Sequence, residues 1–166
     1  ISLSRSKAVK NFQSNVAGIF IAGELGGMGL IRNAIEQGRQ AMANIARTLT
    51  SRSPLDVLIV GAGPAGISAS LAAMEQGLSY VTIEQDSLGG TVAHFPRGKL
   101  VMTNPATLPL VGKFRFREIS KESLLKFWSG VQEQTGLVIR FMERVESIER
   151  CPAGFVAFSC AVFTNC

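Results

Sequence analysis

Asp56-Val57-Leu58-Ile59-Val60-Gly61-Ala62-Gly63-Pro64-Ala65-Gly66 is the stretch on which the fold turns. Val57 to Val60 form a short β-branched apolar run, the composition of a buried strand. Gly61, Gly63 and Gly66 follow with the spacing G-x-G-x-x-G, and an Ala/Ser/Leu-rich helix opens at once and ends near Gly77. That context of strand, glycine turn and helix separates a working fingerprint from a chance match. Gly61 allows the tight turn, Gly63 lets the backbone approach a pyrophosphate, and Gly66 permits close packing of helix on sheet. The first N–H groups of the helix then face the phosphates, with the positive end of its dipole behind them. Tyr80-Val81-Thr82-Ile83 reads as a second strand, so the unit requires a right-handed crossover and a parallel pair. Glu84 closes that strand eighteen residues past Gly66, where an acid accepts hydrogen bonds from the ribose hydroxyls of a dinucleotide.

The flanks are less regular. Before the fingerprint, Gly18-Ile19-Phe20-Ile21-Ala22-Gly23 reads as a short buried strand, and Glu24 to Gly29 as a flexible glycine-rich turn. Leu30, Ile31, Ala34, Ile35, Gly38, Met42, Ile45, Ala46 and Leu49 then recur at helical spacing on one face. Thr50 to Pro54 close this segment as a polar linker with a proline stop. After Glu84, the chain reads as loop from Gln85 to about Glu118, which is long for a structureless connection. Ser120 is placed to cap a further helix with Leu124, Leu125, Phe127, Trp128 and Val131 on its inner face, ending near Gly136. Strands are expected at Leu137–Phe141, Val145–Ile148 and Phe155–Phe163. The division is therefore 1–52, a strand and a long helix, and 53–166, the fingerprint domain.

Composition bounds what such a chain can do. At 166 residues there is room for one domain with a real core and a piece of another, and 46% hydrophobic residues with 17% charged are the proportions of a globular protein. The net charge of +5 comes from scattered basic residues without a run, so no nucleic-acid partner is expected. No apolar run approaches the roughly 18 residues of a membrane span, and the chain shows no secretion leader. Cys151, Cys160 and Cys166 are odd in number, lack a C-x-x-C spacing and stand far from His94, the sole histidine. Neither a metal centre nor a Cys/His pair is supported, and a reducing, cytoplasmic setting fits. His94, Arg97 and Lys99 in the long loop read as surface groups first and as substrate contacts second. The first residue is Ile rather than Met, which points to a missing N-terminus.

The fingerprint, with proline and alanine after its second glycine, closely resembles the FAD-binding N-terminus of thioredoxin reductase-like flavoproteins. Gly89-Gly90 beyond the ribose-binding acid looks like the same family. There the loop runs under the isoalloxazine ring, so the resemblance implies that Gly89, Gly90 and Thr91 lie near a flavin. Gly18 to Glu24 resembles the family's late FAD motif, a strand ending in Ala-Gly-Asp whose acid binds the ribityl chain; Glu24 stands here in place of the aspartate, beside Gly23. The helix beginning near Ile31 resembles the one whose N-terminus faces the flavin pyrimidine.

The cofactor-binding residues implied are thus Gly61, Gly63, Pro64, Ala65, Gly66, Glu84, Gly89, Gly90, Thr91, Gly23 and Glu24, with no metal site and no catalytic residue identified. The fold implied is an FAD-binding, Rossmann-like α/β protein: a parallel sheet with a small β-meander near Leu137, preceded by the strand and long helix of the late motif. The parent enzyme would pass electrons from NAD(P)H through FAD to an unidentified acceptor and would form a homodimer, while this stretch alone would be inactive, with neither a nicotinamide domain nor a C-x-x-C. A nicotinamide-binding domain without flavin and a non-catalytic interaction module are the alternatives.

The two FAD motifs stand in reversed order relative to the family. The simplest account is a junction of two tandem modules with Ser53-Pro54 near the seam. A second account has the first fifty residues folding back to complete a single site in permuted order.

Overall fold

The computed structural model describes residues 12–23, 30–49, 54–102, 105–116, 118–152 and 154–162. Helix α1 (Ile31–Thr48) precedes strand β1 (Val57–Val60), helix α2 (Pro64–Glu75) and strand β2 (Tyr80–Ile83). A 3-10 helix (Gly90–His94) follows, then the short strands β3 (Leu100–Met102), β4 (Ala106–Leu108), β5 (Gly112–Phe114) and β6 (Ile119–Ser120). Helix α3 (Lys121–Thr135) and the hairpin of β7 (Glu143–Cys151) with β8 (Gly154–Ala161) end the described chain.

β1 and β2 pair in parallel from Val57 opposite Tyr80 to Val60 opposite Ile83, as the fingerprint requires. Asp56 and Ser79 staple the strand starts, each side chain bonding the other's backbone N–H. Arg140 extends the pairing as a parallel bridge to Ile83, giving the strand-like stretch expected at Leu137–Phe141 a single paired residue. α2 begins with Pro64, whose missing N–H costs nothing there, and Gly77 follows its end in a left-handed conformation. Ile67, Ser68, Ser70, Leu71, Ala72 and Ala73 are all buried, because α2 is covered by the sheet and by α1. Small side chains make that double packing possible. Ser70 Oγ bonds Gly66 O and lies 2.7 Å from Thr82 Oγ1, fixing the helix over β2.

The apolar face of α1 is real: Ile31, Ala34, Ile35, Gly38, Ala41 and Met42 are buried. Leu30, which the spacing places on that face, is instead the N-cap residue and 61% exposed. α3 is capped by Ser120, whose Oγ accepts from Ser123 N, and ends at left-handed Gly136. Its inner residues Leu124, Trp128 and Val131 join Ile31, Ile35, Ala62, Ile67 and Leu71 in the larger of two apolar clusters.

Two expectations need correction. Residues 18–23 are not a buried strand: Phe20 makes only an antiparallel bridge to Gln13, in a small hairpin with Ile21 N donating to Phe12 O. Gly18 to Ala22 are only partly covered, because the hairpin lies at the surface. Nor is Gln85 to Glu118 one loop, since β3 pairs with β6 and β4 with β5 within and just beyond it. The meander is a β7–β8 hairpin: β7 is longer than the strand expected at Val145–Ile148, and β8 starts one residue before the strand expected at Phe155–Phe163 and ends at Ala161, Phe163 lying outside the described residues.

Candidate functional site

The glycine turn between β1 and α2 is tied down on both sides. Gly61 takes φ +102°, a conformation that favours glycine, and donates its N–H to Ile83 O at 2.7 Å. Fully buried Ala62 gives its N–H to Glu84 Oε2 at 2.7 Å and accepts from Gly89 N at 2.9 Å. Gly63 is the N-cap of α2 and brings no side chain to its open end. Because Pro64 has no N–H and the next amides lie in the first helical turn, Ala65 and Gly66 have donors without intrahelical acceptors. Helix dipole and free donors together favour an anion at this point.

Gly66 is required for a reason visible in the packing: a Cβ there would stand 1.8 Å from Gly61 O. The helix start rests on the turn that precedes it. Gly63 and Gly90 approach each other across the same space, where a Cβ on Gly90 would lie 3.3 Å from both Gly63 Cα and Gly63 N, and 3.6 Å from Glu84 Oε2. A Cβ on Gly89 would lie 2.5 Å from Leu125 Cδ2 and 3.3 Å from Trp128 Cζ3, so the loop is wedged between α3 and the fingerprint. Gly89 and Gly90 both take positive φ, which lets the chain pass through this gap. Thr91 follows, exposed, in the 3-10 helix. Lys121 Nζ bonds Ala93 O and holds that helix to α3.

Glu84 is the one buried acid, 5% exposed, among the described residues. Its Oε2 accepts from Ala62 N and its Oε1 from Asp86 N at 3.0 Å, while its backbone is paired to Arg140 and Glu143. A carboxylate has about four acceptor positions, so two remain for hydroxyl donors such as a ribose diol. Asp86 also pairs with His94, Oδ2 to Nε2 at 2.7 Å; both side chains are well exposed. Arg97 and Lys99 are exposed as expected, Lys99 Nζ lying 4.0 Å from the Phe95 ring centroid.

Gly61, Gly63, Gly66, Glu84, Gly89 and Gly90 therefore meet around one turn, with Pro64 and Ala65 at its helical edge. Gly23 reaches the same edge: it takes φ +93°, donates to Gln37 Oε1 at 2.9 Å, and an added Cβ would lie 3.2 Å from Ala65 Cβ. Glu24 lies outside the described residues. Ala62 and Asp86 were not among the expected site residues, because both act through backbone N–H groups that carry no side-chain signature. Among the described residues no cluster of acids, histidines and cysteines could hold a metal, and no helix is long and apolar enough to cross a membrane. A shallow depression lined by Phe12, Arg39, Arg47 and Gln76 lies at the opposite end of α2.

Two bacillithiol disulfide reductases have a similar fold. The Staphylococcus aureus enzyme superposes with a TM-score of 0.56 at 17% identity over 61% of this chain and 32% of its own, and the Bacillus cereus enzyme with 0.54 at 17% over 63% and 33%. Thiamine thiazole synthase of Pyrobaculum aerophilum is 33% identical over 84 residues, 48% of this chain and 31% of that protein. The chain thus spans about a third of the length of these relatives. Residues 58–159, which run from β1 into β8, match the family model described as pyridine nucleotide-disulphide oxidoreductase. With the glycine turn, the buried acid and that match on more than half its length, the chain belongs to the pyridine nucleotide-disulphide oxidoreductase family.

Proposed function

We propose that the chain is the FAD-binding portion of a cytoplasmic, flavin-dependent oxidoreductase that passes electrons from NAD(P)H through FAD to an acceptor. The observation that carries this reading is the geometry of Glu84: a buried carboxylate beside a glycine-lined turn, with two of its acceptor positions unused. The turn itself is bare backbone at Gly61, Gly63 and Gly66, and a Cβ on Gly63 would meet nothing nearer than Gly89 O at 3.7 Å, which leaves its backbone open to an approaching phosphate. The residues fit a dinucleotide.

In this reading the N–H groups of Ala65 and Gly66 and the dipole of α2 hold the pyrophosphate, and Glu84 accepts from the adenosine ribose. Gly89, Gly90 and Thr91 border the flavin, and Gly23 flanks the start of α2. FAD, when bound, supplies hydride acceptance and onward electron transfer; the protein supplies binding, orientation and exclusion of water. The acceptor is a low-molecular-weight disulfide, a ferredoxin or a quinone.

The test is a 300–550 nm absorbance spectrum of the chain after excess FAD has been added and unbound FAD removed. A retained, structured flavin band is expected, together with its loss in Glu84→Ala. Retention of NADH but no flavin would overturn the FAD assignment in favour of a nicotinamide site.

A further inference from the structure

The net charge of the chain is not spread evenly. Residues 97–121 hold six basic residues and one acid, and the remainder eleven of each, so the whole +5 belongs to this stretch. The stretch is a lobe that leaves and returns at one point: β3 pairs with β6, and Lys121 N donates to Lys99 O at 2.9 Å. Lys121 Nζ in turn bonds Ala93 O, which sets the root of the lobe beside the 3-10 helix that follows Gly89. In the β4–β5 hairpin and just after it, Phe114 and Phe116 turn inward onto Phe127, their ring centroids 4.8 and 5.4 Å from it, and the alternating Lys113 and Arg115 are exposed. Arg97 and Lys99 are exposed at the root. No carboxylate among the described residues pairs with any of these four cations, whereas Arg39 and Arg144 elsewhere each meet a glutamate. The acids bordering the root are engaged: Glu122 accepts from Gly98 N and pairs with Lys121, and Asp86 pairs with His94. Two apolar side chains stand in the same lobe, Leu100 at 55% exposed and Leu110 at 50%. Leu110 occupies the hairpin tip at φ +63°, a left-handed conformation that suits glycine or asparagine and not a bulky side chain.

We propose that this lobe is the docking face for an acidic protein partner, with Arg97, Lys99, Lys113 and Arg115 meeting its carboxylates and Leu100 and Leu110 serving as apolar anchors. Apolar points among unneutralised charges have the composition of a protein interface, in which charge steers the approach and the apolar contacts hold it. A single-stranded nucleic acid would ask for exposed rings on which to stack its bases, and Phe114, Phe116 and Phe127 face one another instead. A bilayer would ask for a continuous apolar face, which two leucines in separate elements do not make. The root of the lobe adjoins the loop Gly89–Thr91, so a partner seated there stands next to the site. Of the three acceptor classes, only a protein spans such a face. What the partner receives there rests on the FAD reading; the docking does not.

The test uses the full chain, with poly-L-glutamate and a glutamate–tyrosine copolymer as acidic polypeptides, and poly-uridylate and phosphatidylserine vesicles as competing surfaces. Dissociation constants are measured at about 0.15 M salt, where screening over about 8 Å leaves distant charges little influence. Arg97→Glu/Lys113→Glu/Arg115→Glu reverses the face, and Arg32→Glu/Arg47→Glu/Arg150→Glu, at exposed positions outside it, reaches the same net charge. The copolymer is expected to bind more tightly than poly-L-glutamate; the face variant should weaken it by about tenfold or more, and the control by no more than about twofold. Equal losses in the two variants would overturn the inference, as would tighter binding of poly-uridylate or vesicles that the same reversal abolishes. FAD retention, read in the same samples, separates the two readings. Copolymer binding without FAD sinks the FAD reading and leaves the docking face standing, and FAD retention without copolymer binding overturns the docking face alone. Should the face variant fail to fold, Leu110→Gly decides. Glycine suits φ +63° and keeps the hairpin, so the copolymer's advantage over poly-L-glutamate should fall by about threefold, and an unchanged advantage refutes the inference.

Discussion

Replacing Gly66 by alanine should break the fingerprint although it adds a single methyl group. At a helical position, Gly→Ala is ordinarily favourable by up to about 1 kcal/mol, because glycine loses more backbone entropy on folding. Here the new Cβ would lie 1.8 Å from Gly61 O and 2.9 Å from Gly61 C, and the gap must open by about 1.2 Å to reach the 3.0 Å that Cβ atoms tolerate. Both partners are backbone, so no side chain can rotate away. Gly61 is itself fixed by its N–H to Ile83 O, and Ala62 by Glu84 and Gly89. The strain therefore passes into the turn, and overpacking of this kind costs about 1–3 kcal/mol, enough to exceed the propensity gain. Urea denaturation followed by far-ultraviolet circular dichroism is the assay; the midpoint should fall with the slope unchanged. FAD retention should fall too, by about tenfold for each 1.4 kcal/mol of distortion borne by the bound state. A midpoint equal to or above that of the unaltered chain, with flavin retained, would refute the packing argument.

Gly130→Ala supplies the opposite sign: Gly130 sits in α3 with nothing within 4 Å of an added Cβ. It should raise stability by about 0.5–1 kcal/mol, and Tm by about 1–4 °C, read by a thermal melt. Cys160 donates its Sγ–H to Glu146 Oε1 at 2.9 Å, and that bond, with burial and the glutamate charge behind it, holds the thiol above its ordinary pKa. Its thiolate fraction at pH 8 is correspondingly low, so iodoacetamide should alkylate it more slowly than an unconstrained cysteine. Glu146→Gln should speed that labelling, as followed by mass spectrometry of the Cys160 peptide; an unchanged rate would show that the glutamate does not control the thiol.

The parts of the fold legible in the sequence are those whose determinants are close along the chain. The β1–α2–β2 unit and the position of Glu84 follow from glycine spacing and β-branched runs, and the structure returns them nearly residue for residue. The stretch from Gln85 to Glu118 was not readable, because β3 finds β6 across about twenty residues and each strand is too short to show a period. Gly18 to Gly23 looks the same as a buried strand and as one arm of a surface hairpin, and only the bridge to Gln13 separates the two. The site was legible as side chains and glycines, but its clamps were not: the amides of Ala62 and Asp86 belong to every residue type. Gly38 was visible as an apolar-face position, yet the closeness of Ala65 O, 2.1 Å from an added Cβ, is something no local pattern contains.

The wedge of Gly89 against α3 has an optical consequence. Trp128 is the only tryptophan in the chain, it is 1% exposed, and its ring edge packs on the glycine that leads into the 3-10 helix. Its emission therefore reports on one loop. A chromophore that absorbs in the near ultraviolet and settles beside Gly89–Thr91 would quench that emission by energy transfer, whereas unfolding would shift it to the red. The molecule carries its own indicator, able to separate ligand arrival from loss of structure in a single titration without an added label.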